Sequence, residues 1–153
     1  MRDDGKAPDD PATETAGTAE VAFELDGTST CIARARQLAA GFLARMQADH
    51  GLPVSRRATD LTQLVVSELV TNSFKYAPGP ILVNLRIVAG AVEVAVRDSG
   101  RVLPRARAAD TGRVGQHGLE IVLAVAQRFE ARQEAVGKCV TVSIALLDDP
   151  GST

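Results

Sequence analysis

ILVNLRIVAGAVEVAVRDSG, residues 81–100, decides the architecture of this chain. On either side of Ala89-Gly90 the residues alternate, with Ile81, Val83 and Leu85 in one phase and Val92, Val94 and Val96 in the other. Period-two patterning of this kind reads as two strands, and the short Ala-Gly break between them reads as a hairpin. Each strand then buries a single face, as in a mainly antiparallel sheet carrying helices on one side. A doubly wound parallel sheet would instead require near-continuous apolar runs.

Outward from the hairpin the same logic places the other elements. VAFELDGT alternates through Val21, Phe23 and Leu25 and leads into a helix from about Thr30 to Gln47, closed by Gly51 and Pro53. A second helix begins between Ser55 and Asp60, where Asp60 and Gln63 have capping-box spacing, and runs to Tyr76 ahead of Pro78-Gly79-Pro80. After an Arg-rich connection over 101–116, GLEIVLAVAQRF reads as a helix, and ARQEAV with CVTVSIALL reads as a closing hairpin turning at Gly137-Lys138. The expected fold is α+β. It is a two-layer sandwich with about three helices on one face of a mixed, mainly antiparallel five-stranded sheet.

Composition narrows the rest. The 153 residues suit one domain. Residues 1–20 hold two basic against six acidic side chains and little to bury, so a disordered acidic tail is expected, followed by one folded unit over 21–147 and a C-terminal tail over 148–153. The near-neutral folded part does not advertise nucleic-acid binding. No apolar run approaches the roughly 18 residues of a membrane span, and no export signal is visible, so a cytoplasmic protein is expected. Cys31 and Cys139 stand far apart without metal-ligand spacing and read as small buried hydrophobes.

Polar residues interrupt this pattern at three places. On a helical wheel with Glu68 at zero, Asn72 falls at about +40° and Lys75 at about −20°, in the sector that holds Leu61, Leu64 and Val65 one to two turns earlier. That stripe turns from apolar to polar along the helix. It marks either the wall of a polar cavity or the point where the helix emerges into solvent. Asp98 is in phase with Val92, Val94 and Val96 and is followed by Ser99-Gly100, so a second carboxylate points inward at the end of a strand. The third place is VGQHGLEIV, where Gly115 and Gly118 precede an apolar helix whose free N–H groups suit an anion. The preceding Arg101, Arg105, Arg107 and Arg113 suit a phosphate lid or a solvated loop equally.

Over Val21 to Leu147 the chain resembles the Bergerat-fold, or GHKL, ATP-binding domains, and particularly the anti-sigma-factor serine kinases of bacterial partner-switching systems. ELVTNSFKYA is similar to the family's N box, DSG to its first glycine box and GQHGLEIV to its second. The resemblance implies ATP and Mg2+ as cofactors. Glu68 would be the general base, Asn72 the Mg2+ ligand, Lys75 a phosphate-facing cation and Tyr76 a neighbour of the nucleotide. It further implies that Asp98 accepts a hydrogen bond from the adenine amino group and that Gly100 lets the base approach. Gly115, His117, Gly118 and Leu119 would frame the phosphates. Two departures stand out: Arg101-Val102-Leu103-Pro104 follows Gly100, and Gln116-His117 stands where a Gly-x-Gly pattern is usual.

By the same resemblance the chain is expected to be a serine/threonine protein kinase. It would phosphorylate a STAS-domain anti-anti-sigma protein and alternately hold a sigma factor. The competing expectation is a nucleotide-binding module that sequesters a partner without turnover. The resemblance also implies a homodimer, which no exposed apolar stripe in the sequence supplies independently.

Overall fold

The computed structural model describes residues 12–14, 19–26, 28, 30–76, 79–100 and 117–147. Strands β1 (Ala12–Glu14) and β2 (Glu20–Leu25) precede helices α1 (Cys31–His50) and α2 (Arg56–Tyr76). Strands β3 (Ile81–Val88) and β4 (Ala91–Asp98), helix α3 (His117–Val125), and strands β5 (Arg128–Gln133) and β6 (Lys138–Ala145) follow. The sheet order is β1-β2-β3-β4-β6-β5, and every neighbouring pair is antiparallel. The two-layer α+β sandwich expected from strand alternation is therefore present. The sheet is wholly antiparallel rather than mixed, and β1 adds a short sixth strand within the segment read as an acidic tail. Backbone pairing along the edge of β2 needs no apolar side chains, which is why composition did not announce it.

The β3–β4 hairpin forms where the alternation breaks. Ala89 and Gly90 both take positive φ, 48° and 81°, the combination that a tight hairpin turn needs to match strand twist. Register then aligns Phe23 with Val83, Val83 with Val96, and Val96 with Val140 in one row across the inner face. Val21, Leu85, Val94 and Val142 form the next row. All eight are buried, and together with Phe42, Leu43 and Met46 of α1 they form the core between the layers.

Both long helices end for local reasons. At the C-terminus of α1, Gly51 adopts a left-handed φ of 63°, and the N–H groups of Gly51 and Leu52 donate to the carbonyls of Gln47 and Met46. Helix α1 thus continues three residues beyond the expected Gln47. At the start of α2 the capping residue is Ser55, whose Oγ accepts the Ala58 N–H at 2.9 Å. Asp60 lies inside the helix and is exposed, so the expected Asp60–Gln63 capping box does not form. The Ser55 N–H also donates to the Leu146 carbonyl at 2.8 Å and ties α2 to the end of β6.

Two further expectations change. Helix α3 stops at Val125, and Arg128-Phe129 belong to β5, where Phe129 pairs with Val142. The β5–β6 turn closes over Glu134 to Gly137, with the Glu134 N–H donating to the Gly137 carbonyl at 2.9 Å. Lys138 is accordingly the first residue of β6 and is buried, not a turn residue. Cys31 and Cys139 are both buried thiols, as their apolar surroundings in the sequence suggested. Among the described residues no helix is long and apolar enough to cross a membrane.

Candidate functional site

The core-facing side of α2 is set by Ala58, Thr62, Val65, Val66, Leu69, Val70 and Ser73, all buried. On the wheel with Glu68 at zero, this side centres near about +110°. Glu68 and Asn72 are therefore on the flank of the buried face, half-buried, and Lys75 is exposed. The stripe that runs from Leu61 through Glu68 to Lys75 marks the edge of the helix interface, not its centre. Leu61 and Leu64 on that stripe are themselves only half-buried, because apolar side chains commonly line an interface rim.

That flank is where chemistry is available. Glu68 and Asn72 are four residues apart and project from the same side of the helix, one turn after the other. Among the described residues neither side chain has a hydrogen-bond partner. Toward the described residues, the half-buried carboxylate and amide leave their donor and acceptor capacity uncommitted. Helix α3 packs on α2 and brings its first turn, with His117, Gly118 and the half-buried Leu119, into the same layer. Gly115 and the Arg101 to Arg113 segment lie outside the described residues.

Asp98 ends β4 on the inner face, as its phase predicted, and its side chain is only 1% exposed. A buried carboxylate needs partners. Its Oδ1 accepts from Lys138 Nζ at 2.9 Å and from the Gly100 N–H at 2.8 Å. Its Oδ2 accepts from Lys138 Nζ at 2.9 Å and from the Ser73 hydroxyl in a short hydrogen bond. Ser73 directly follows Asn72, so this last bond fixes the end of β4 against the last turns of α2. Glu68, Asn72 and Asp98 are thus gathered at one end of the sandwich.

Three residues of this arrangement escaped the reading of the sequence. Ser73 was legible on the wheel, since it shares the sector of Leu69 and Val66. Lys138 was legible by parity, since it is in phase with Val140, Val142 and Ile144 on β6; taking it as part of a turn concealed this. Gly137 carried no signal beyond its type. Its φ is 88°, and a Cβ built there would lie 1.9 Å from the Asp98 carbonyl oxygen and 2.7 Å from Ser99 Cα. The β5–β6 turn therefore rests directly on the backbone that carries Asp98.

Among the described residues there is no group of three His, Cys, Asp or Glu side chains able to hold a metal. A divalent cation here would have few protein ligands. The amide oxygen of Asn72, half-buried and without a partner among the described residues, fits an ion that takes one or two protein ligands and completes its shell with phosphate oxygens and water.

Comparison with known proteins agrees with this architecture. The Histidine kinase-like ATPase domain family matches residues 28–144. No curated protein matches. Among solved structures, the histidine kinase domain of the Erythrobacter litoralis EL346 blue-light activated histidine kinase is 25% identical with a TM-score of 0.42, covering 58% of this chain and 48% of its own. Acinetobacter baumannii histidine kinase AdeS is 14% identical with a TM-score of 0.45, covering 83% of this chain and 68% of its own. The chain spans about half the length of the first of these. With the match extending from the turn before α1 to the penultimate residue of β6, this chain belongs to the histidine kinase-like ATPase family and is a GHKL-type ATPase domain.

Proposed function

We propose that this domain is an ATP-dependent serine/threonine protein kinase that acts as an anti-sigma factor in a partner-switching system. It would phosphorylate a STAS-domain anti-anti-sigma protein and alternately sequester a sigma factor, in a homodimeric form. The observation that supports this reading best is the pair Glu68 and Asn72, one turn apart on the flank of α2, half-buried and without partners among the described residues. A domain that only held nucleotide would gain nothing from a half-buried carboxylate that no described residue pairs, since burying such a group costs free energy.

In this reading Glu68 takes the proton of the acceptor serine hydroxyl as its oxygen attacks the γ-phosphorus of ATP. The new bond is serine oxygen to phosphorus, the broken bond joins the γ-phosphorus to the β,γ-bridging oxygen, and ADP departs with that electron pair. Asn72 would hold Mg2+, which when bound neutralises charge on the phosphates. Lys75, exposed at the end of α2, approaches the phosphate oxygens, and Asp98 faces the base. Tyr76, Gly100, His117, Gly118 and Leu119 complete the surround. Glu68→Ala should retain ATP affinity within about threefold and lose at least about a hundredfold in phosphate transfer to a cognate STAS-domain protein. Unchanged transfer would remove Glu68 from its role.

A second reading, a module that sequesters its partner without turnover, draws support from the departures at Arg101 to Pro104 and Gln116-His117. Incubation with γ-labelled Mg-ATP and the partner separates the two, since a module of that kind forms the complex and leaves the partner unlabelled.

A further inference from the structure

Strand β5 ends the sheet, and among the described residues its only strand neighbour is β6. An edge strand presents N–H and C=O groups that another strand can take up. Which residues supply them follows from the β5–β6 turn. The Glu134 N–H donates to the Gly137 carbonyl, so Glu134 turns its backbone groups toward β6. By the alternation of an antiparallel ladder, Arg132, Glu130 and Arg128 do the same. Phe129, Ala131 and Gln133 then direct theirs outward, to the open edge.

The side chains add a pattern to this edge. Phe129 and Ala131 pack toward the core, whereas Arg128, Glu130 and Arg132 are exposed on the opposite face of the sheet. Glu134 continues their phase. Its carboxylate meets Arg132 at 3.5 Å and Arg97 at 3.2 Å, and Arg97 shares a row with Arg132 through Cys139. The outer face of the strand therefore reads Arg, Glu, Arg, Glu. Reversed, the order is Glu, Arg, Glu, Arg, so a second copy laid antiparallel along the edge meets opposite charge at every position.

We propose that the open edge of β5 is the surface through which two copies of this chain associate, antiparallel about a two-fold axis at Ala131. In that register the outward backbone groups of Phe129, Ala131 and Gln133 bond to those of Gln133, Ala131 and Phe129 in the second copy. Glu130 stands opposite its Arg132, and Arg128 opposite its Glu134, in the non-hydrogen-bonded pairs where facing side chains lie closer. A slip of two residues sets Glu130 opposite Glu130 or Arg132 opposite Arg132, and a slip of one mismatches the backbone groups. Alternating charge thus selects a single register, whereas charge of one sign would guard the edge against a copy in every register. The proposal rests on the homodimeric part of the proposed function and not on its nucleotide chemistry.

The test is sedimentation equilibrium of the full chain as wild type, Glu130→Arg and Arg132→Glu. Each substitution alone sets like charges opposite one another on both sides of the axis, and should weaken the dimer by about tenfold or more. Mixed in equal amounts, the two variants should associate within about threefold of the wild type, because each then faces the opposite charge on the other. If circular dichroism shows either variant unfolded, Ala131→Pro decides in its place. It removes the outward N–H at the axis and spares the bonds to β6, so it should weaken the dimer by about tenfold or more. A wild-type dimer that these substitutions leave unweakened, or weakened variants that stay apart on mixing, would reject β5 and leave the dimer to another surface. A wild type that is monomeric at about 100 μM would remove the homodimer and this proposal together. Both results are distinct from failure of the kinase reading, which the phosphate-transfer assay decides.

Discussion

Lys138 stands directly opposite Asp98 across β4 and β6, and its ammonium contacts both carboxylate oxygens at 2.9 Å. Two desolvated charges depend on each other more than they stabilise the fold. Asp98→Asn and Lys138→Met should each destabilise by about 3–5 kcal/mol, because each leaves a buried group without its counterpart. The double replacement should recover most of that loss. Denaturant unfolding of all four chains measures the coupling, and additive single effects would show that Asp98 and Lys138 do not depend on each other.

Gly137→Ala should be among the most damaging single substitutions in the chain. The new methyl carbon would meet the Asp98 carbonyl oxygen, a backbone atom that cannot swing aside, at 1.9 Å and at a φ of 88° that L side chains rarely adopt. Combining the strain of a left-handed residue with forced displacement gives a loss of about 3 kcal/mol or more. Gly51→Ala, with open space around it, should cost less, about 1 kcal/mol. Comparable midpoints for the two variants would show that the β5–β6 turn yields freely.

The start of α2 offers a test between two candidate caps. Ser55→Ala removes the acceptor of the Ala58 N–H and should cost about 1 kcal/mol. Asp60→Ala, inside the helix and exposed, should change stability by no more than about 0.5 kcal/mol. A larger effect at Asp60 than at Ser55 would restore the capping box.

Asp26 gives a pH dependence of known sign. The Thr28 N–H and then the Thr28 hydroxyl, at 3.1 and 2.9 Å, hold its carboxyl below the ordinary carboxylate range. A depressed folded-state value means a contribution that is present above the unfolded-state value and lost as pH falls through the folded one. NMR titration should find Asp26 ionising at lower pH than an unstructured aspartate. Thr28→Ala should raise the value only in part, because the backbone N–H, the larger cause, remains. A full return to the unstructured value would make the hydroxyl the dominant partner.

How far the sequence speaks is seen in particular residues. The alternation of Val92, Val94, Val96 and Asp98 determined a one-faced antiparallel sheet and an inward carboxylate, because side-chain direction along a strand has a strict period of two. The N box and DSG likewise carried the family. The wheel of α2 gave the right neighbours for Glu68 and Asn72, but not which side of the helix faces the core. A helix has no intrinsic inside, and its orientation was settled only when Val66, Leu69 and Val70 were buried in the core. Asp98 posed a further question, namely what satisfies it. The answer required strand register to place Lys138 opposite it and helix placement to bring Ser73 within reach. Those are long-range relations between segments 25 and 40 residues away from Asp98. Periodicity fixes where a side chain points, whereas only tertiary packing decides what it meets.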